Sequence, residues 1–150
     1  MIESFLVSPS DLSVVLAIKS TTPNYFQTTG LDGYSQYQGI VRVSSDSHLV
    51  IWAKALNSNV DKDFFEAMAI AISTDNTLAA VVYARLGEED NYRYSHSRMM
   101  IRVVSMEDGS HLKTLFLQSG ELGVDIIGKL NNGMLHFNSQ GLFIAMEFWS

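Results

Sequence analysis

Residues Ile70-Ala-Ile-Ser-Thr-Asp-Asn-Thr-Leu-Ala-Ala-Val-Val-Tyr83 read as an apolar strand, a small polar turn and a second apolar strand. The same order occurs at Phe5-Leu-Val-Ser-Pro-Ser-Asp-Leu-Ser-Val-Val-Leu-Ala-Ile18 and at Leu135-His-Phe-Asn-Ser-Gln-Gly-Leu-Phe-Ile-Ala-Met-Glu-Phe148. Ser8, Ser73 and Asn138 hold the same place, about 65 residues apart each time. A second block recurs between them. Ile40-Val-Arg-Val-Ser-Ser-Asp-Ser-His-Leu49 resembles Met100-Ile-Arg-Val-Val-Ser-Met-Glu-Asp-Gly-Ser-His-Leu112, pairing Arg42 with Arg102 and His48 with His111. Two blocks repeated in one order point to a tandem array of like units.

Within each unit the apolar runs are rich in Val, Ile, Leu and aromatic residues and are bounded by turn formers, which marks strands. The expected strands are Ser4–Ser8, Leu12–Lys19, Ile40–Ser44 and Leu49–Leu56 in the first unit. Met68–Ser73, Leu78–Arg85, Met99–Ser105 and Leu112–Gln118 follow in the second, then Met134–Asn138 and Leu142–Phe148. Asp32-Gly33, Asp108-Gly109 and Asn132-Gly133 supply turn chemistry, because Gly and Asn accept positive φ. Asp61–Ala71 is the one stretch with a rival helical reading, ranked second because its latter half aligns with a strand elsewhere.

Composition bounds the function. Hydrophobic residues make up 47% and charged residues 17%, enough apolar material for a packed core. A net charge of -6 with scattered Lys and Arg disfavours nucleic acid as a partner. With no Cys there is no disulfide scaffold, thiolate metal site or cysteine nucleophile. That fits a reducing compartment, and a cytoplasmic location is the expectation. The apolar runs Ala67–Ile72 and Leu78–Ala84 are far shorter than the ~20 residues that span a bilayer, so no membrane insertion is expected.

Four short antiparallel strands repeated in tandem resemble the blade of a β-propeller. The second unit is similar to a WD40 repeat along most of its length. Ile72-Ser73-Thr74-Asp75-Asn76 stands where that family has its apolar-Ser-Pro-Asp-Gly turn, and Ile101-Arg102-Val103-Val104-Ser105 where it has Ile-Arg-Val-Trp-Asp. Asp108-Gly109-Ser110-His111-Leu112-Lys113-Thr114-Leu115 looks like its closing segment. The Trp-Asp pair itself is replaced by Val104-Ser105 and by Ser44-Ser45. The resemblance implies an all-β chain of about two and a half blades: 1–65, 66–130 and the start of a third over 131–150. Because a propeller ring needs about four to eight blades, the remaining ones are expected from the same or another chain.

Antiparallel order puts the short turns at one end of each sheet and the long connections, roughly Ser20–Gly39, Asn57–Glu66, Leu86–Arg98 and Ser119–Asn132, at the other. Long loops on a rigid scaffold carry recognition. All but one of the six tyrosines lie there, and Tyr34, Tyr37, Tyr92 and Tyr94 are the candidate anchors for a protein partner. Glu88, Glu89 and Asp90 form an acidic lip that attracts a basic partner. Asn57-x-Asn59-x-Asp61-x-Asp63 begins like a calcium loop but has Lys62 and Met68 where Gly and Glu are needed, so no metal is expected. No nucleophile elbow, phosphate loop or dinucleotide motif occurs, and no cofactor is expected. The expected function is that of a non-catalytic interaction scaffold. The alternative is a propeller that binds a small molecule or performs catalysis in a central channel.

Overall fold

The structure is a computed structural model that describes residues 1–20, 37–55, 65–85, 98–118, 135–138 and 141–144. Its regular structure is all strand: β1 (Ile2–Val7), β2 (Val14–Ser20), β3 (Tyr37–Val43), β4 (Val50–Ala55), β5 (Phe65–Ile72), β6 (Leu78–Arg85), β7 (Arg98–Ser105), β8 (His111–Gln118), β9 (Leu135–Asn138) and β10 (Gly141–Ile144). Strands β1 to β4 make one antiparallel sheet in chain order, β5 to β8 make another, and β9 pairs with β10. The strands fall close to the expected ones, though β1 begins at Ile2 and β3 at Tyr37. The helical reading of Asp61–Ala71 fails from Phe65 onward, where β5 pairs with β6. Ile70 and Ile72 face one side of that strand and Ala69 and Ala71 the other, and each side packs into a separate core cluster. Only a period of two places them so.

The two four-stranded sheets are built alike, down to their irregularities. A bulge lies between Ile2 and Ser4 in β1 and between Ala67 and Ala69 in β5. The later one keeps Ala67 on the side of Ile70. Another lies between Arg42 and Val43 in β3 and between Val103 and Val104 in β7. The β3–β4 turn closes with Ser44 N–H donating to the Leu49 carbonyl, and the β7–β8 turn with Ser105 N–H donating to the Ser110 carbonyl.

This register corrects two pairings drawn from residue identity. Val14 pairs with Val43 and Ala79 with Val104, so Arg42 corresponds to Val103. Arg102 lies one step further along and faces the other way, because a shift of one residue reverses every side chain. His48 likewise corresponds to Gly109; both have positive φ, 56° and 72°. His111 opens β8 instead, where its ring Nε2 lies 2.7 Å from Thr114 Oγ1. Neither the arginines nor the histidines are repeat equivalents.

The sheets stack by face on opposite face. Val15, Ala17, Ile40 and Trp52 of the first sheet pack against Ile70, Val81, Tyr83 and Met100 of the second. The other side of the second sheet, with Ala69, Ala71, Ala80, Val82 and Ile101, carries Leu135 and Phe137 of β9. By register Ala80 corresponds to Val15 and Ile101 to Ile40, so both contacts use the same face of a sheet. The first strands follow suit, β5 lying against β1 and β9 against β5. Being covered on both sides, β6 reads as an unbroken apolar run from Leu78 to Tyr83. Val81 and Val82 in β6, and Ile70 beside them in β5, are fully buried, each contributing about 2 kcal/mol. The other side of the first sheet, with Leu16, Ile18, Val41 and Val43, forms a third cluster.

Candidate functional site

Two polar clusters interrupt the apolar layer between the sheets. The one nearer the short turns is built around the Met106 carbonyl, just beyond β7. Trp52 Nε1 donates to it at 2.9 Å, and Arg42 Nη1 donates to the same oxygen. Arg42 Nε donates to Ser13 Oγ at 3.0 Å and Nη2 to the Asp11 carboxylate. Each guanidinium nitrogen therefore has its own acceptor. Asp11 also accepts from the Ser13 amide at 2.9 Å and from the Ser13 hydroxyl at 2.7 Å. Burial works to raise the Asp11 pKa, but the bonds from Ser13 and Ser8 and the Arg42 charge outweigh it and hold the value at about 2.

The same interface is held at two further points. Gly109, in the β7–β8 turn, lies on the Trp52 ring: a Cβ there would fall 2.5 Å from Trp52 Cε3. Ser8 Oγ donates to Asn76 Oδ1 at 2.7 Å, joining the β1–β2 and β5–β6 turns. Arg42, Trp52, Ser13 and Asp11 are all hydrogen-bonded, so the chemistry of this first cluster is that of a clamp between sheets.

The second cluster differs. It runs from mid-sheet toward the ends that carry the long connections, and comprises Glu3 of β1, Lys19 of β2, Tyr83 of β6 and Arg102 of β7. Glu3 Oε2 accepts from the Ala67 amide at 3.1 Å, while Oε1 lies 3.6 Å from Lys19 Nζ. Ala67 pairs with Tyr83 across β5 and β6, which places the tyrosine beside that carboxylate. Tyr83 is 1% exposed, yet its hydroxyl has no hydrogen-bond partner among the described residues. Burial, with the Glu3 charge added, pushes its pKa far above the ordinary tyrosine value, against a smaller opposing pull from Arg102. The hydroxyl stays protonated and remains a donor. Arg102 pairs with Val81 and so faces the first sheet. Its Nε is buried without a hydrogen-bond partner among the described residues, and burial lowers its pKa. Among the described residues no carboxylate forms an ion pair with it.

The residues singled out from sequence stand apart from this cluster. Tyr37 opens β3 opposite Ser20, at the long-loop end, and its side chain is outside the described residues. Tyr34, Tyr92, Tyr94, Glu88, Glu89 and Asp90 lie outside them altogether, as does the run Asn57 to Asp63. From sequence Tyr83 is not singled out and Arg102 enters only as a repeat partner of Arg42, although each carries a signal. Tyr83 is the one tyrosine set within an apolar strand, and Arg102 places a charge in the middle of another. Among the described residues no group of three or more His, Asp or Glu could hold a metal ion. Nor is any helix there long and apolar enough to cross a membrane. No family model, curated protein or solved structure matches the chain.

Proposed function

We propose that the stacked sheets are blades of a WD40-like β-propeller, and that the protein is a non-catalytic scaffold that docks a protein partner at its long-loop end. The observation that carries the reading is the repeated stacking. The face that the first sheet lays on the second is the face that the second sheet presents to β9. The strands β1, β5 and β9 lie against one another in succession, as the innermost strands of such a ring would. Further blades, from the same or another chain, would then cover the Leu16–Ile18–Val41–Val43 side of the first sheet. Its apolar character matches the side of the second sheet that is already covered.

The docking surface in this reading is formed by the loops bearing Tyr34, Tyr37, Tyr92 and Tyr94, with Glu88, Glu89 and Asp90 as an acidic rim. Tyrosines give wide contact area at low entropic cost. Alanine at all four tyrosines is expected to weaken binding of a partner identified by affinity purification and mass spectrometry at least tenfold. Circular dichroism should be unchanged. Equal binding by the quadruple variant, measured with purified components, refutes the assignment. Binding or catalysis in a central channel is the second reading. It would be favoured if ligand density appeared on the axis of an intact ring.

A further inference from the structure

We propose that the Leu16–Ile18–Val41–Val43 side of the first sheet docks a further four-stranded repeat unit, distinct from the two in this chain, whose contacting side is uncharged. The inference rests on the stacked-blade reading above and adds the chemistry of the covering unit.

The interface between the two sheets of this chain is polar at matched places. The first sheet brings Glu3, which accepts from the Ala67 amide of the second sheet at 3.1 Å, and Lys19, 3.6 Å from the Glu3 carboxylate. The second sheet brings Tyr83 and Arg102 on the side turned toward the first. Register locates all four positions in the other sheet. Phe5 pairs with Leu16 as Ile70 pairs with Val81, so Ile18 stands where the second sheet has Tyr83. Leu16 pairs with Val41 as Val81 pairs with Arg102, so Val41 stands where the second sheet has Arg102. Ile2 pairs with Ile18 as Ala67 pairs with Tyr83, so Glu3 and Lys19 correspond to Met68 and Ala84.

The receiving side of the first sheet is therefore apolar where that of the second is polar. Its cluster is made of residues from the first sheet alone, and Phe5, 58% exposed, and Val7, 44% exposed, extend it along β1. A unit like the first sheet would press a carboxylate and an ammonium onto Ile18 and Val41, which offer neither a hydrogen bond nor a charge. Burial of that kind is strongly unfavourable. A unit with apolar residues at those two places, as the second sheet has Met68 and Ala84, meets no such penalty. Charge thus disqualifies the first sheet of a second copy. The second sheet of a second copy is disqualified by occupancy, because its corresponding side already carries Leu135 and Phe137. What fits is a separate unit of the same build.

The test is a charge scan of this side in the native assembly, recovered through a tag on the full chain and sized by native mass spectrometry. Ile18→Met is expected to keep the wild-type assembly. Ile18→Lys and Ile18→Glu are each expected to lower the assembled fraction at least tenfold, and to similar extents, because an uncharged cover can pair with neither sign. Thermal melting of the free chain identifies variants that fail to fold. Should the Ile18 variants do so, Phe5→Leu, Phe5→Lys and Phe5→Glu carry the same comparison from an exposed position. A loss confined to one sign of charge means a charged cover; it overturns this proposal and leaves the stacked-blade reading standing. Cross-links from this side to the Glu3–Lys19 region of a second copy also overturn this proposal alone. A chain recovered without any assembly, or no loss with any variant, overturns both.

Discussion

Arg42 and Arg102 enter the same layer from opposite sheets, Arg42 bonded through every guanidinium nitrogen and Arg102 with a buried Nε that has no hydrogen-bond partner among the described residues. One residue of register separates their positions in the repeat and decides which way each faces.

Replacing Arg42 by Leu should therefore destabilise strongly. It strips a donor from the Met106 carbonyl and leaves the Asp11 carboxylate without its cation. A loss of about 3 kcal/mol is expected in urea unfolding. A change under 1 kcal/mol would show that the clamp contributes little.

Gly109→Ala is expected to cost on the order of 3 kcal/mol. Part comes from an alanine held at φ 72°, and part from a Cβ pressed against the Trp52 ring. Trp52 fluorescence should shift with the substitution, because the ring must move. A variant of wild-type stability and spectrum would mean that the turn does not rest on Trp52.

Leu12 should yield to improvement. It is 61% exposed and sits at φ 59°, the value shown by Asn76 in the matching turn of the second sheet. Asn adopts that region at lower cost than Leu. Leu12→Asn is expected to raise stability by about 1 kcal/mol, read as a higher denaturant midpoint with an unchanged slope.

Acid should unfasten the Asp11 contact. Its folded pKa, about 2, lies below the ordinary 3.8. The carboxylate's contribution is complete above the higher value and is lost as the pH falls toward the lower one. Because Asp11 is partly exposed, the effect is modest and weakens with salt. Asp11→Asn should flatten the stability–pH curve in that window. A variant that loses stability as steeply as wild type places the acid response elsewhere.

Much of the fold is legible in the sequence. Alternating apolar runs between turn residues locate the strands, and the unbroken run Leu78–Tyr83 marks a strand covered on both sides. Register is harder to read. The shared Ile-Arg-Val and Ser-His-Leu strings invite an alignment that backbone pairing contradicts, because short identical strings recur by chance whereas bulges and turn bonds do not. The polar cluster is hidden for a related reason. Glu3, Lys19, Tyr83 and Arg102 come from four strands in two sheets, and only the stacking brings them together. The long-loop tyrosines are a reading of composition alone, and apart from the backbone of Tyr37 they lie outside the described residues.

A crystal or cryo-electron-microscopy structure of the protein in its native assembly tests the stacking most directly. The account predicts a ring of four-stranded sheets in which β1, β5 and β9 lie innermost and another sheet covers Leu16, Ile18, Val41 and Val43. A stable monomer with that face open to water, or with the Val15–Ile40–Trp52 face turned away from Val81 and Met106, would contradict it.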